Sequence, residues 1–472
     1  MTSLSHPKII QGGMGVAVSN WSLARAVSQA GQLGVVSGTA LATVLARRLQ
    51  NGDPGGIMRS AMEAFPIQEW VDRVLKRYFI PEGKSESAPH RTAPMPNLSH
   101  RQSAELSVLG CFVEVFLAKR GHDGVVGMNL LEKIQIPTLP SLYGAMLAGV
   151  DYILMGAGIP RSIPRILDQF ANDEAAEMRI DVQGALKDER FVDRFDPADY
   201  GFGKMNLKRP AFIGIISSTV LAKTLAKRAE GSVQGFVVEG FTAGGHNAPP
   251  RGAMQLSESG EPVFSERDQP DIEAIRELGL PFWLAGAYGR PGKLAEAQAL
   301  GAVGIQVGTV FAFCEESGLD PEVKSRTLRQ SQAGTIRVFT DPYASPTGFP
   351  FKVLEAEGTL SDDAVYQSRK RICDLGYLRT PYRREDGKVG YRCPAELIED
   401  YLRKGGKLED TVGRKCVCNG LVAGVGMAQT GKGKPEPILL TAGDDARRIS
   451  DFLKDGEESY TAADVVASLI KG

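Results

Sequence analysis

Eight short apolar runs are spaced along the chain, and most are followed by a pattern with helical periodicity. Each run is apolar throughout rather than alternating, which is typical of parallel strands buried on both faces and joined by helical crossovers. Eight such units in about 310 residues predict an α/β protein with a (β/α)8 barrel, known as a TIM barrel. The runs cover residues 8–11, 33–37, 125–131, 151–155, 211–216, 236–239, 281–285 and 304–307.

A doubly wound parallel sheet is the alternative fold. That fold usually carries a glycine fingerprint of the dinucleotide-binding type, with an acidic residue about 20 positions further on. We find no such fingerprint after any of the eight runs. The barrel is therefore the favoured prediction.

Two segments do not belong to the eight minimal units. Residues 53–123 form an insertion after the second strand, with a helical pattern over 67–79 and a polar, proline-bearing stretch over 81–96. This insertion is expected either to cap the active face or to decorate the surface. Residues 351–472 are more charged and are predicted as a C-terminal, α-rich extension. The barrel itself is then assigned to 1–52 and 124–350.

Composition and charge narrow the class of protein. Hydrophobic residues make up 43% of the chain and charged residues 24%, as in an ordinary globular protein. The formal net charge is −1, so no overall field favours nucleic acid or an anionic membrane. We see neither a signal-peptide pattern nor an apolar run of about 18 residues, the minimum for a transmembrane helix. A cytoplasmic protein is expected.

The segment after the sixth strand carries the most distinctive chemistry. It contains Ala243-Gly244-Gly245-His246, and the histidine is one of only five in the chain. Adjacent glycines allow the backbone to approach a flat or anionic ligand, because no Cβ intervenes. Taken alone, the motif also fits a tight turn with a solvent-facing histidine. In a barrel, however, the carboxyl ends of all strands share one mouth, where active sites lie.

The seventh and eighth strands of a barrel often hold phosphate at their carboxyl ends. Here those ends carry Gly286-Ala287 and Gly308-Thr309, each close to a following helix whose N–H groups favour an anion. Further glycines after the first strand line another side of the mouth. Flavin mononucleotide (FMN) suits this arrangement, with its phosphate at these two strands and its ring across the mouth.

Several segments together resemble a known family. KIIQGGMG, VVEGFTAGGH, LAGAY and GIQVGT occur in this order between residues 7 and 317. They are similar to the nitronate monooxygenase (2-nitropropane dioxygenase-like) family of FMN-dependent barrels, with the insertion unmatched. That group also includes flavin-dependent enoyl-acyl carrier protein reductases and acyl dehydrogenases or isomerases.

The resemblance implies a set of site residues. His246 would be the catalytic base or proton donor beside the flavin. Two positions depart from the family pattern: Thr242 stands where an acidic residue is usual, and Ala287 where a second glycine is usual. Alanine can still donate its N–H there if its φ is negative. The implied cofactor-binding residues are Gln11, Gly12, Gly13, Met14, Asn129, Gly244, Gly245, Gly286, Ala287, Gly308 and Thr309.

The resemblance also implies the reaction. The first expectation is oxidation of alkyl nitronates with dioxygen, with a histidine base of near-neutral pKa. The alternatives are an acyl-thioester oxidoreductase that uses NAD(P)H, and a non-catalytic flavin-binding subunit of a lipid-synthesis complex. Expected partners are a small-molecule substrate, an acyl carrier protein and a second copy in a homodimer, but no nucleic acid and no membrane.

The cysteines suggest one further site. Cys111 and Cys314 lie in apolar surroundings and are expected in the core. Four others are grouped in the extension, where thiolates could bind zinc or an iron–sulfur cluster. Their spacing matches neither a zinc ribbon nor a ferredoxin motif, and unrelated reduced thiols are the alternative. The four candidate metal ligands are Cys373, Cys393, Cys416 and Cys418.

Overall fold

The eight predicted strands form one parallel sheet in the computed structural model, which describes residues 6–98, 100–431 and 433–471. Residues 1–5 of the predicted barrel and residue 472 of the predicted extension lie outside the described residues. In chain order the strands are β1 Ile9–Gln11, β2 Gly34–Ser37, β3 Val126–Leu131, β4 Tyr152–Gly156, β5 Ala176–Ile180, β6 Phe191–Phe195, β7 Ala211–Ile216, β8 Gly235–Glu239, β9 Gly245–His246, β10 Phe282–Ala285, β11 Gly304–Val307, β12 Val338–Asp341, β13 Phe351–Leu354, β14 Thr380–Arg383, β15 Val389–Arg392, β16 Thr430–Gly431 and β17 Lys434–Pro435.

The barrel sheet closes on itself. Its order is β1-β11-β10-β8-β7-β4-β3-β2, with parallel pairing throughout. The two ends of that order meet through a bridge between Ile10 and Leu33 and a hydrogen bond from Gln11 N to Leu33 O of 3.0 Å. Side chains such as Val35, Leu154 and Trp283 fill the interior. The prediction of a (β/α)8 barrel is confirmed.

Helices pack around the barrel as the apolar pattern predicts. Asn20 illustrates how they begin, since its side chain accepts from Leu23 N at 2.9 Å and caps α1. The helices are α1 Trp21–Gln29, α2 Leu41–Gln50, α3 Ile57–Met62, α4 Gln68–Tyr78, α5 Arg101–Lys119, α6 Thr138–Leu147, α7 Ile163–Ala171, α8 Thr219–Arg228, α9 Ile272–Arg276, α10 Lys293–Ala299, α11 Thr309–Ala312, α12 Pro321–Gln332, α13 Asp363–Ser368, α14 Ile398–Arg403, α15 Val417–Ala423 and α16 Ala462–Lys471.

The insertion packs against the side of the barrel rather than over its mouth. It contains α3, α4 and α5, and α5 lies against α1, α2 and α6. α5 is buried around most of its circumference, which is why it takes a place among the barrel's own helices. Among the described residues of 53–123, none lines the cavity described below. The expected cap over the active face is therefore corrected: this segment is a lateral layer.

The C-terminal extension covers the mouth instead. Most of its regular structure is short helices, with two small hairpins formed by β14–β15 and β16–β17. Its apolar residues share a core with those of the barrel and insertion. A buried contact fixes it to α2, because Arg47 donates to Met427 O at 2.6 Å and to Asp374 Oδ2 at 3.0 Å.

Two further features complete the fold. A hairpin of β5 and β6, which the apolar runs did not predict, lies between β4 and β7 in the chain. A separate three-stranded sheet has the order β12-β13-β9 and carries His246. Within the described ranges, no helix is both long and apolar enough to cross a membrane.

Candidate active site

A cavity of about 310 Å³ opens at the carboxyl ends of the barrel strands. This size is within the range of small-molecule and cofactor sites. All but one of the predicted catalytic and cofactor-binding residues line it, so the structure brings them together around one mouth. The lining residues from that set are Gly12, Gly13, Met14, Asn129, Gly244, Gly245, His246, Gly286, Ala287, Gly308 and Thr309.

Gln11 is the exception. Its side chain is fully buried and does not line the cavity. Its Oε1 accepts from Val35 N at 2.9 Å, and its Nε2 donates to Ser19 Oγ at 2.8 Å. These bonds tie the end of β1 to β2 and to the loop that follows β1. Gln11 thus shapes the backbone of the mouth rather than its surface.

His246 is held at the edge of the cavity by its backbone and its side chain. The backbone belongs to β9, where His246 pairs with Phe351 of the antiparallel strand β13. The imidazole Nε2 lies 2.7 Å from Ser345 Oγ, and the ring meets the Phe351 ring edge-on at 4.9 Å. These contacts fix the ring, so the alternative of a solvent-facing histidine in a simple turn does not apply.

The imidazole of His246 is neutral in this setting. Burial, together with the positive charge of Lys133, lowers the pKa of His246 to about 3. The expectation of a near-neutral pKa is corrected. A neutral ring has one acceptor nitrogen, and a negative charge formed beside it would favour its protonated state. The site is therefore suited to taking a proton from a substrate that becomes an anion.

Lys133 is a cation close to this histidine that the sequence analysis did not select. It follows β3, its Nζ is buried, and it stands over the ring of Phe349. Within the described part of the chain, this Nζ has no hydrogen-bond partner. Burial lowers the pKa of Lys133 to about 7. In the sequence, the only signal for Lys133 as a site residue is its position two residues after a predicted strand.

Glu239 is a second unselected residue of the mouth. It ends β8 and lines the cavity. Burial raises the pKa of the Glu239 carboxyl to about 7, because the surroundings disfavour the charged form. Near pH 7 this group can therefore exist as a neutral acid and as a carboxylate. The sequence does offer a signal for Glu239, because it is an acidic residue at the end of an otherwise apolar predicted strand.

The end of the mouth near β10 and β11 retains backbone N–H groups for an anion but has a strained position. Ala287 has φ +56°, so the condition of a negative φ for this alanine is not met. A left-handed alanine costs roughly 1 kcal/mol, which explains why glycine is usual there.

The extension also contacts this end of the mouth. Gly443 N from the extension donates to Thr309 Oγ1 at 2.8 Å, and Gly289 N donates to Asp445 Oδ2 at 2.9 Å.

The mouth has features that fit a planar flavin. A Cβ at Gly245 would project into open space, so the backbone there can lie flat against a ring. Gln306 on β11 lines the cavity, and its Oε1 is buried without a hydrogen-bond partner among the described residues. Such an oxygen needs a donor, and a ring N–H would supply one. Gly244, in contrast, packs closely against Gly443 of the extension.

The four cysteines of the extension surround a second, very small cavity. Their thiols are buried in surroundings that favour the neutral form; burial raises the pKa of Cys373 to about 12 and that of Cys393 well above its usual value. Across the described ranges, no group of three or more His, Cys, Asp or Glu side chains is placed to hold a metal ion. Cys111 and Cys314 are buried in the core, as predicted.

Comparison with known proteins finds a family model that matches part of the chain. The sequence model described as "Nitronate monooxygenase" matches residues 204–346, which include β7, β8, β10, β11 and His246. This segment is similar to the nitronate monooxygenase family. This is a family of flavin-dependent oxidoreductases, and the resemblance carried by the glycine–histidine motif is confirmed.

One relative from Mycobacterium tuberculosis is named (3aS,4S,5R,7aS)-5-hydroxy-7a-methyl-1-oxo-octahydro-1H-indene-4-carboxyl-CoA dehydrogenase. It is 27% identical over 143 residues, which are 30% of this chain and 36% of that protein. The match thus spans just over a third of the relative's length.

Two solved structures align along nearly the whole chain. FabK from Thermotoga maritima is 16% identical with a TM-score of 0.47, covering 99% of this chain and 93% of its own. Nitroalkane oxidase from Streptomyces ansochromogenes is 15% identical with a TM-score of 0.49, covering 100% and 96%.

Proposed function

We propose that the protein is an FMN-dependent oxidoreductase that oxidises alkyl nitronates with dioxygen. The observation that carries this proposal is the neutral imidazole of His246, fixed by Ser345 at the edge of a glycine-lined cavity. An unprotonated, oriented base beside an enclosed space suits removal of the α-proton of a neutral nitroalkane, which gives the nitronate that is oxidised. The match of residues 204–346 to the nitronate monooxygenase family also supports this proposal.

The proposed FMN site uses residues on two sides of the mouth. Gly286, Gly308 and Thr309 would hold the phosphate through backbone N–H groups. Gly245 would lie flat against the ring system, and Gln306 Oε1 would accept from a ring N–H. Bound FMN supplies the electron acceptance and the transfer to dioxygen that side chains cannot provide. The protein's own part is to orient the substrate and to handle its proton.

The proton path follows from the geometry at His246. When the substrate enters as the neutral nitroalkane, the ring nitrogen that faces it would take the α-proton and leave the nitronate; a nitronate supplied as such is already deprotonated. Ser345 holds Nε2 at 2.7 Å and so fixes the ring during this transfer. Lys133 is close enough to His246 for its charge to lower the pKa of the imidazole. This cation would stabilise the anion and lower the barrier to its formation.

An acyl-thioester oxidoreductase is the second candidate. It is favoured by the apolar wall that the extension adds to the cavity, and the relative's name refers to a carboxyl-CoA substrate. His246 would then act on a proton next to the thioester carbonyl, with NAD(P)H as the electron source. Delivery by an acyl carrier protein and assembly as a homodimer stay predictions. The zinc or iron–sulfur site predicted at the four extension cysteines is not supported, since the described residues hold no group of side chains placed to bind a metal ion.

Anaerobic stopped-flow spectroscopy of the purified yellow protein separates these candidates. We expect propyl-1-nitronate to bleach the flavin absorbance rapidly, and readmitted dioxygen to restore it. Bleaching by NADH or NADPH but not by the nitronate would overturn the first assignment in favour of the second. If neither a nitronate, NAD(P)H nor an acyl-CoA bleaches the flavin, the result would support the hypothesis of a non-catalytic flavin-binding subunit.

Two variants test the role of the histidine. His246→Ala should retain FMN, because the implied cofactor contacts are mainly backbone groups, yet lose turnover of the neutral nitroalkane by about a hundredfold or more. The matched control is His6→Ala, since His6 is exposed and does not line the cavity. Unchanged turnover in His246→Ala would show that the base has been misassigned.

A further inference from the structure

The extension gives the active-site cavity an apolar side arm. Leu375, Tyr377 and Leu378 line it from the segment that follows α13, and Val417 and Leu421 line it from α15. Leu421 is only half-buried in the protein, so part of its surface faces the cavity rather than other side chains. We call these five residues the apolar arm. None of them belongs to the segment that matches the family.

The apolar arm lies on a defined side of the barrel mouth. Tyr377 OH is 3.5 Å from Thr43 Oγ1 on α2, and Tyr377 lines a small cavity together with residues at the ends of β2 and β3. Leu131, the last residue of β3, and Ile134, which follows it, complete the same wall. In the barrel order, β3 and β10 lie on opposite sides. The arm is therefore across the mouth from the proposed phosphate site.

The chemistry of the arm indicates its occupant. Its five side chains are apolar apart from the Tyr377 hydroxyl, which is turned to Thr43. A substrate as small as nitropropane would leave this surface against water, which is unfavourable. A chain of several methylene groups that extends from the reacting carbon would cover it. His246 and the arm line one continuous cavity, so one molecule can reach both.

We propose that the apolar arm binds an extended alkyl or acyl chain of the substrate, with the reacting carbon at His246. This inference rests on the proposed function, because it names the substrate class of the same site. It makes the extension a specificity element. Transfer of each methylene from water into such a surface predicts a kcat/KM that rises about three- to fourfold per carbon until the arm is filled.

The first test is a chain-length series on the FMN-loaded protein. Primary nitronates from propyl to octyl and acyl-CoA thioesters of matched length are compared by kcat/KM. We expect a steep rise with length in whichever class is turned over. Values that do not change with chain length would overturn the inference while leaving the reaction intact.

The second test changes the arm and reads binding directly. Leu421→Trp fills the arm, and Leu408→Trp is the control, since Leu408 is 58% exposed and does not line the cavity. The probe is 11-(dansylamino)undecanoic acid, whose fluorescence rises in apolar surroundings. We expect Leu421→Trp to weaken probe binding at least tenfold and to remove the advantage of long chains, while Leu408→Trp behaves as the wild type. Equal probe binding in both variants would overturn the inference.

Two further outcomes are informative. Leu421→Phe, a smaller change, gives a graded effect of the same sign if the tryptophan variant does not fold. Probe binding that depends on Leu421, without turnover of any nitronate or thioester, would support the arm and overturn the proposed reaction. The two proposals therefore fail in different measurements.

Discussion

Nε2 of His246 lies 2.7 Å from the hydroxyl of Ser345, which is 99 positions later in the chain. Ser345 belongs to the loop between β12 and β13, and the extension holds this loop in place. Arg414 donates to Ser345 O at 2.6 Å, and Lys415 pairs with Asp341 at 3.0 Å. The position of the proposed base therefore depends on residues far outside its own motif.

Ser345→Ala should reduce kcat/KM about tenfold or more without loss of FMN. The substitution removes the partner of a part-buried ring nitrogen, and such losses typically cost about 1–3 kcal/mol. Because the ring then gains freedom, we expect kcat to fall more than KM rises. Ser257→Ala, at an exposed position, is the control. A variant that keeps wild-type kcat would mean that Phe351 and the backbone pairing suffice to orient His246.

Lys133→Met should raise the pKa of His246. Burial is the larger cause of the low pKa and is unchanged, so the shift is partial, but the repulsion from the Lys133 charge is removed. We expect the acidic limb of the kcat/KM profile to move to higher pH, and turnover to fall if the charge also stabilises the substrate anion. Lys204→Met, an exposed lysine, is the control. An acidic limb at its original pH would show that Lys133 does not act on His246.

Glu239→Gln should remove a titration near pH 7 from the flavin spectrum. The Glu239 carboxyl lines the cavity with a pKa of about 7, so its charge changes within the accessible range. A charge beside a flavin shifts its visible absorbance, whereas glutamine is neutral at every pH. The measurement is the absorbance of the FMN-loaded protein from pH 5.5 to 8.5. Glu258→Gln, at an exposed position, should titrate as the wild type does; an identical titration in Glu239→Gln would contradict the assignment.

His90 should make the protein less stable in mild acid. It is buried, its Nε2 donates to Asn51 Oδ1 at 2.9 Å, and burial lowers its pKa to about 4. Between about pH 4 and the unfolded value of about 6.5, the unfolded state binds more protons, so stability rises with pH in this window. We expect the Tm of the wild type to fall faster than that of His90→Gln as the pH drops from 6.5 to 4. Parallel Tm curves would show that His90 is not responsible.

The barrel and most of its mouth could be predicted from local patterns. Strands such as β7 and β8 are buried on both faces, and that burial leaves a continuous apolar run in the sequence. The glycine–histidine motif is equally local. Its position at a strand end, together with the barrel rule, was enough to place His246 at the shared mouth.

The remainder of the site depends on distant contacts that leave no local pattern. Ser345 acts through a loop whose position is set by Arg414 and Lys415. Tyr377 lies in a charged, cysteine-bearing segment whose composition suggested an appendage rather than a wall. The backbone conformation of Ala287 is likewise imposed by its surroundings. Such features arise from tertiary packing, which single-sequence patterns do not encode.

The bond between Gly443 N and Thr309 Oγ1 has a consequence for the order of events during synthesis. Gly443 is 134 positions after Thr309, so the barrel strands leave the ribosome well before the residues that complete their mouth. A nascent barrel would present an open, partly apolar surface until the later segment arrives. Stable binding of the cofactor would then follow translation of residues 440–445. Only a chain synthesised to this point would have a complete mouth.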